Sequence, residues 1–89
     1  MLHDEVETLA RQRFEGVDVK LVDVREATDF DGDDILVVQI VLDAEPAEVD
    51  PSRLSGFTRH LRRVLERQGE NRYPITRFFS ASDYNAHAA

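Results

Sequence analysis

Four arginines at helical spacing offer the clearest chemistry in this chain. The side of an amphipathic helix opposite its apolar stripe is predicted to carry Arg59, Arg62, Arg63 and Arg67. A guanidinium can donate two parallel hydrogen bonds to a carboxylate or a phosphate, so this row could bind an acidic partner. Gly56 is predicted on the same side, and Glu66 is expected to pair with Arg62. These four arginines and Gly56 form the predicted partner-binding surface, although a solvated helix face has the same composition.

Four aspartates surround a predicted turn at Gly32, namely Asp29, Asp31, Asp33 and Asp34. Two carboxylates about 4 Å apart repel each other by roughly 1 kcal/mol in water, and a bound cation would relieve this repulsion. The EF-hand loop requires glycine at position six and glutamate at position twelve. Counted from Asp29, those positions hold Asp34 and Ile40. The sequence therefore favours an exposed turn without a metal, and it leaves cation binding by this turn open.

No set of residues forms a recognisable catalytic constellation. His3, His60 and His87 are distant in sequence, and the chain has no cysteine, no phosphate-binding loop and no nucleophile motif. His60 is predicted at the edge of the apolar stripe, where a pocket joining it to a carboxylate would indicate an enzyme. We therefore predict that the chain is not an enzyme and uses no metal or other cofactor.

The apolar spacing predicts the elements that position these residues. Helices are predicted over residues 2–14 and 51–68, and strands over 17–27, 35–42 and 75–80. Asp50 and Pro51 are predicted to begin the second helix, and a slip in alternation near Leu21–Val22 predicts a β-bulge. The fold class is α+β, in the order helix-strand-strand-helix-strand, with a three-stranded sheet, a β-hairpin and two packed helices. Residues 1–82 form one domain, and residues 83–89 are predicted to be a flexible tail.

The second predicted strand is apolar on both of its faces. Such strands are usually covered on both sides, here by helices on each face or by a second subunit. A right-handed connection through the second helix would make the second and third strands parallel. The simplest pairing puts the first strand in the middle, whereas the apolarity of the second strand favours the second, so the strand order stays open.

The charge of the chain is divided unequally. Residues 1–50 carry a net charge of −11 and residues 51–89 a net charge of +4, which gives −7 overall. The two parts could attract each other within the fold. An acidic chain is a poor non-specific binder of nucleic acid. The sequence has no run of about 18 apolar residues that could span a membrane, and the acidic start differs from a basic signal peptide, so a cytoplasmic location is expected.

Residues 31–36, 55–62, 73–75 and 79–82 resemble a group of short, uncharacterised bacterial proteins. This resemblance implies a self-contained small domain without a known activity, so it assigns no functional residue. The element order is also similar to that of BolA-like and other KH type II domains. The chain departs from that pattern because it has no Gly-x-x-Gly loop between two helices and no histidine between Asp29 and Asp34.

The sequence therefore favours two functions. The first is a non-enzymatic protein-interaction or accessory module, either a monomer or a homodimer, that binds a protein through the arginine-bearing helix or an open sheet edge. The alternative is a KH-like domain for single-stranded nucleic acid, in which the four arginines of the helix, together with Arg72 and Arg77, act beside Tyr73, Phe78 or Phe79.

Overall fold

A computed structural model describes the backbone of residues 2–88 and the side chains of residues 2–85. Its elements are α1 (Leu2–Arg13), β1 (Val19–Thr28), β2 (Asp34–Leu42), a 3-10 turn (Pro46–Glu48), α2 (Pro51–Arg67), β3 (Tyr73–Ser80) and α3 (Ala81–Ala88). The predicted α+β class and the predicted order helix-strand-strand-helix-strand are confirmed. Helix α3 is an addition, and it occupies most of the segment for which the sequence predicts a flexible tail.

The ends of α2 follow the predicted local chemistry. The Asp50 carboxylate accepts a hydrogen bond from the Ser52 backbone N–H at 3.0 Å, and Pro51 occupies the first helical position. The helix ends before Gly69, whose φ of 76° is in the left-handed region that glycine adopts without strain. This segment is therefore helical for the reasons that its sequence indicated.

Strands β1 and β2 form the predicted antiparallel hairpin. Gly32 has a φ of 85° in its turn, and the Asp29 N–H donates to the Asp33 carbonyl at 3.0 Å. Val19 pairs with Leu42 and Leu21 pairs with Val41, so Lys20 is the extra residue of a β-bulge. The bulge lies just before the predicted position, and it places Val19 and Val22 on the same buried face.

The sheet order is β1-β2-β3, with β2 in the middle and β3 parallel to it. Of the two orders that the sequence left open, the structure has the one that buries the most apolar strand. One face of β2 belongs to the main core through Leu36, Val38, Ile40 and Leu42. The parallel pairing of the second and third strands is confirmed.

Three aromatic rings join the two long helices to the sheet. Phe14 follows α1, Phe57 lies on α2 and Phe78 on β3, and their ring centroids are 5.7–6.0 Å apart in pairs. Phe14 and Phe57 are fully buried. Helices α1 and α2 therefore share one side of the sheet. On the opposite side, Tyr84 of α3 contacts Phe79 with a centroid distance of 5.9 Å.

An arginine side chain of α2 also holds the end of α1. The Arg53 guanidinium donates hydrogen bonds to the carbonyl of Arg13 at 3.0 and 3.2 Å and to that of Glu15 at 2.6 Å. It also lies 5.8 Å from the centroid of the Phe14 ring. Carbonyls at a helix C-terminus lack partners within the helix, so Arg53 satisfies groups that would otherwise need water.

Replacing Phe57 by alanine tests how much the aromatic cluster contributes to the stability of the fold. We expect the free energy of unfolding to fall by about 3–5 kcal/mol, because a fully buried ring is lost and leaves a cavity. Urea unfolding would measure this change. Phe30→Ala is the matched control, since Phe30 is fully exposed, and its effect should stay within about 0.5 kcal/mol. Equal losses in the two variants would contradict the packing described.

A second prediction concerns His3, whose Nε2–H donates to the Val22 carbonyl at 2.7 Å. This bond raises the pKa of His3 above its ordinary value of 6.5. A group with a raised folded pKa stabilises the fold below its unfolded pKa, and this stabilisation is lost as the pH rises through the folded pKa. His3→Ala should therefore lose more stability below pH 6.5 than well above it. Urea unfolding at both pH values, with an NMR titration of His3, would check this; an equal loss at both would contradict it.

Candidate functional site

The arginine surface, defined as Arg59, Arg62, Arg63 and Arg67, is exposed as predicted. Within residues 2–88, none of the four forms an ion pair, and the expected pair between Arg62 and Glu66 is absent. Other arginines of the chain are paired: Arg11 lies 3.7 Å from Glu7, and Arg25 lies 2.5 Å from Asp23. The fold therefore leaves the charge of this surface unneutralised by direct contacts.

The four guanidinium groups have different surroundings. Arg62 lies toward β3, 5.0 Å from the centroid of the Tyr73 ring, which is a cation–π distance. Arg67 lies toward α1 and lines a groove between the two helices. Arg63 lies beside Glu66 and Arg67 in a shallow depression on the outer side. The arginines therefore form an arc around the exposed part of α2, with Arg62 and Arg67 at its flanks.

Gly56 does not belong to this exposed arc, and its predicted place there is wrong. It is buried, and a Cβ atom at this position would lie 3.0 Å from Nη2 of Arg13. The missing side chain makes room for the Arg13 guanidinium where the end of α1 crosses α2. Arg13 Nε is buried without a hydrogen-bond partner among the described atoms. A Cβ atom here would require the end of the flexible Arg13 side chain to shift by a few tenths of an ångström. The contact comes from another helix, so a helical wheel for α2 alone does not reveal it.

The aspartate turn is organised around one carboxylate. Oδ1 of Asp29 accepts hydrogen bonds from the backbone N–H groups of Asp31 and Asp33, each at 2.9 Å. Carboxylate oxygens of these three residues lie within 4.8 Å of one another. Asp29 therefore acts first as the residue that closes the turn.

Phe30 at the tip of this turn is a residue that sequence reasoning missed. Its side chain is fully exposed and lies between Asp29 and Asp31 in the sequence. An aromatic residue in the middle of a predicted hairpin turn was the available signal, because turn tips rarely have anything to pack against.

No ion pair in the described part of the chain joins the turn to the arginine surface, so direct contacts do not neutralise the two charged regions.

Arg72 forms two ion pairs within the fold. Its guanidinium lies 2.8 Å from Glu26 of β1 and 2.8 Å from Glu70, which precedes β3. Hydrogen bonds from Arg72 lower the pKa of Glu70 from 4.5 to about 2. Since β1 and β3 are the two outer strands, this bridge connects opposite edges of the sheet at one end.

His60 lines the groove between α1 and α2 together with Asp4 and Glu5. Its Nδ1–H donates to the Gly56 carbonyl of its own helix at 2.8 Å. In the structure as described, no hydrogen bond or ion pair joins His60 to either carboxylate, and Glu5 instead accepts a hydrogen bond from Gln68. The groove brings together an imidazole and two carboxylates without arranging them as an acid–base pair.

The helices within residues 2–88 are too short or too polar to cross a membrane. No family model, curated protein sequence or solved structure matches this chain. The function must therefore be inferred from the chemistry of the surfaces themselves.

Removing the Arg72 guanidinium tests whether its ion pair with Glu70 stabilises the fold at low pH. A carboxylate with a lowered folded pKa stabilises the fold above its unfolded pKa, and this contribution is lost as the pH falls through the folded pKa. Glu70 should therefore contribute stability that is lost between pH 4.5 and about 2. In Arg72→Met the loss over this window should be smaller, and NMR should show the pKa of Glu70 closer to 4.5. Arg63→Met, which removes an unpaired guanidinium, is the control; identical acid profiles for the two variants would refute the bridge.

Proposed function

We propose that this chain is a small, non-enzymatic interaction domain that binds an acidic protein partner through the arginine surface. The observation that carries the proposal is that all four guanidinium groups are exposed and none is ion-paired within residues 2–88. Arg59 and Arg63, and likewise Arg63 and Arg67, are four residues apart on the helix. Like charges at this spacing destabilise a helix by about 0.2–0.5 kcal/mol per pair, and carboxylates of a partner would relieve that repulsion.

The chemistry of arginine favours a carboxylate-bearing partner. Each guanidinium is planar and can bind a carboxylate through two hydrogen bonds, and it is less strongly hydrated than a lysine ammonium. Arg62 is also oriented by the Tyr73 ring, so less side-chain freedom is lost when it binds. An arc of such groups suits an acidic helix or loop laid along α2.

The placement of the aromatic side chains gives less support to binding of single-stranded nucleic acid. Base stacking needs exposed rings beside the cationic groups. Phe78 packs between Phe14 and Phe57, and Phe79 lies on the opposite side of the sheet against Tyr84. Tyr73 does lie beside the arginines, but Arg62 already covers its ring. The net charge of −7 also opposes attraction of a polyanion to the rest of the molecule.

A titration with poly-L-glutamate, followed through backbone amide NMR shifts, tests the proposal. We expect shifts in α2 around Arg59 and Arg63, with an affinity that falls as salt is raised, because the contacts are between exposed charges. Reversing both charges, Arg59→Glu with Arg63→Glu, should weaken binding by at least about tenfold.

The matched control is Arg11→Glu with Lys20→Glu, which changes the net charge equally at two positions already paired with Glu7 and Asp18. It should bind nearly as well as the unaltered chain. Equal weakening of the two double variants would refute a specific surface, since net charge alone would then explain the binding. Tighter binding of oligothymidylate than of poly-L-glutamate would favour the nucleic-acid alternative.

A further inference from the structure

Arg13, the last residue of α1, has a guanidinium group without a polar partner in the described part of the chain. Its Nε atom is buried and makes no hydrogen bond there, and the group forms no ion pair with any described residue. The side chain as a whole is only half-buried, and neither Nη atom is enclosed as Nε is. Leaving the donors of a charged group without partners costs free energy, so a ligand from outside the chain would relieve this cost.

The ordinary role of an arginine at this position is filled by another residue. Basic side chains in the last turn of a helix commonly donate hydrogen bonds to its last carbonyl groups. Here Arg53 of α2 donates to the carbonyls of Arg13 and Glu15 instead. Arg13 is therefore not needed to cap α1, and its side chain crosses to α2.

Gly56 is the position at which the Arg13 side chain meets α2. A Cβ atom there would lie 3.0 Å from Nη2 of Arg13, so the guanidinium lies against the helix where glycine leaves the backbone uncovered. Glycine in the interior of a helix lowers stability relative to alanine. The crossing of α1 and α2 thus combines a glycine with an unpartnered guanidinium. Stability alone favours neither, and such combinations are typical of functional sites.

The Arg13 guanidinium lies next to the arginine surface. Residues three and seven positions apart share one side of a helix, so Gly56 lies one turn before Arg59 and two turns before Arg63. Because Arg13 covers Gly56, it extends the row of positive groups on α2 by one turn toward the start of the helix. Its side chain comes from α1, so the periodicity of α2 does not reveal this extension.

We propose that Arg13 is the anchor of the arginine surface, where it binds one carboxylate group of the acidic partner. Since Nε is enclosed, the guanidinium presents its two Nη groups, and this pair matches the two oxygen atoms of a single carboxylate. Contact with Gly56 restricts the side chain before the partner arrives, so less conformational freedom is lost on binding. This inference rests on the proposed function and names the contact that contributes most to the affinity.

Partial burial gives Arg13 an advantage over the exposed arginines of the surface. The attraction between two charges increases when water is partly excluded from around them. In interfaces, arginines seated in partly desolvated places contribute more to affinity than those at the exposed rim. Arg59 and Arg63 are exposed, whereas Arg13 is half-buried between two helices. Arg13 is therefore expected to form the strongest single contact, with the exposed arginines around it.

Arg13→Met separates a role in binding from a role in stability. Methionine keeps an apolar side chain and removes a donor that has no partner, so the urea midpoint of the free chain should stay the same or rise. Poly-L-glutamate should bind about tenfold more weakly in the amide NMR titration, because charge-assisted hydrogen bonds are lost. Arg13→Lys keeps the charge but lacks the planar fork, and it should also bind more weakly than the unaltered chain.

Two further variants are the controls. Arg53→Met removes a guanidinium that is hydrogen-bonded to the end of α1, so it should lower the urea midpoint. Arg25→Met removes one positive charge on the side of the sheet facing away from α2, where Arg25 is paired with Asp23. It should change the affinity for poly-L-glutamate by less than about twofold.

The side-chain NMR signal of Arg13 gives a direct readout. Enclosure slows the exchange of the Nε–H proton with water, so this signal should be visible in a proton–nitrogen spectrum of the free chain. During the titration it should shift together with the backbone amides of α2. A signal that stays in place while those amides shift would overturn the proposed contact.

The outcomes distinguish this inference from the proposed function. Unchanged affinity of Arg13→Met, with Arg59→Glu and Arg63→Glu together still weakening binding, would overturn the anchor and leave the proposed function standing. A urea midpoint lowered as far as in Arg53→Met, with unchanged affinity, would assign Arg13 to helix packing instead. An unaltered chain that does not bind poly-L-glutamate would overturn both proposals.

Discussion

The contact among Phe14, Phe57 and Phe78 is the constraint on which the rest of the structure depends. Each ring comes from a different part of the chain, and together they fix the end of α1, the first half of α2 and the middle of β3 at one point. A domain of 89 residues has a small core, and Phe14 and Phe57 are its two largest fully buried side chains. Once both long helices lie on one side of the sheet, the other side is left to α3.

The arginines fall into two groups, those that bind other parts of the chain and those of the arginine surface, which do not. Arg53 holds the end of α1, and Arg72 connects the two outer strands through Glu26 and Glu70. Both make short contacts with oxygen atoms of the chain itself. The arginine surface has no such contacts in the part of the molecule that the structure describes. The interpretation of this surface as a binding site rests on that contrast and not on the number of positive charges.

Local chemistry made several features predictable from the sequence. The Asp50–Pro51 start of α2, the Asp-Gly turn and the phase slip in β1 each depend on residues that are close in sequence, and each is present. Features that depend on distant residues were harder to predict. The sequence left two strand orders open, because the simplest pairing puts β1 in the middle whereas the apolarity of β2 favours β2. The surroundings of Gly56 depend on Arg13, which comes from another helix. The exposure of Arg59 and Arg63 followed from helical periodicity, whereas the contact of Arg62 with Tyr73 did not.

The central position of β2 has a consequence for how the chain is made. Both strands of the hairpin are synthesised before α2 and β3, because they precede these elements in the sequence. Until β3 arrives, β2 has an unpaired edge and two apolar faces, which is a combination that promotes aggregation. The first 50 residues carry a net charge of −11, with four aspartates at the hairpin turn. Like charges on two such hairpins repel each other, so the acidity of residues 1–50 opposes association between hairpins that are not yet paired with β3.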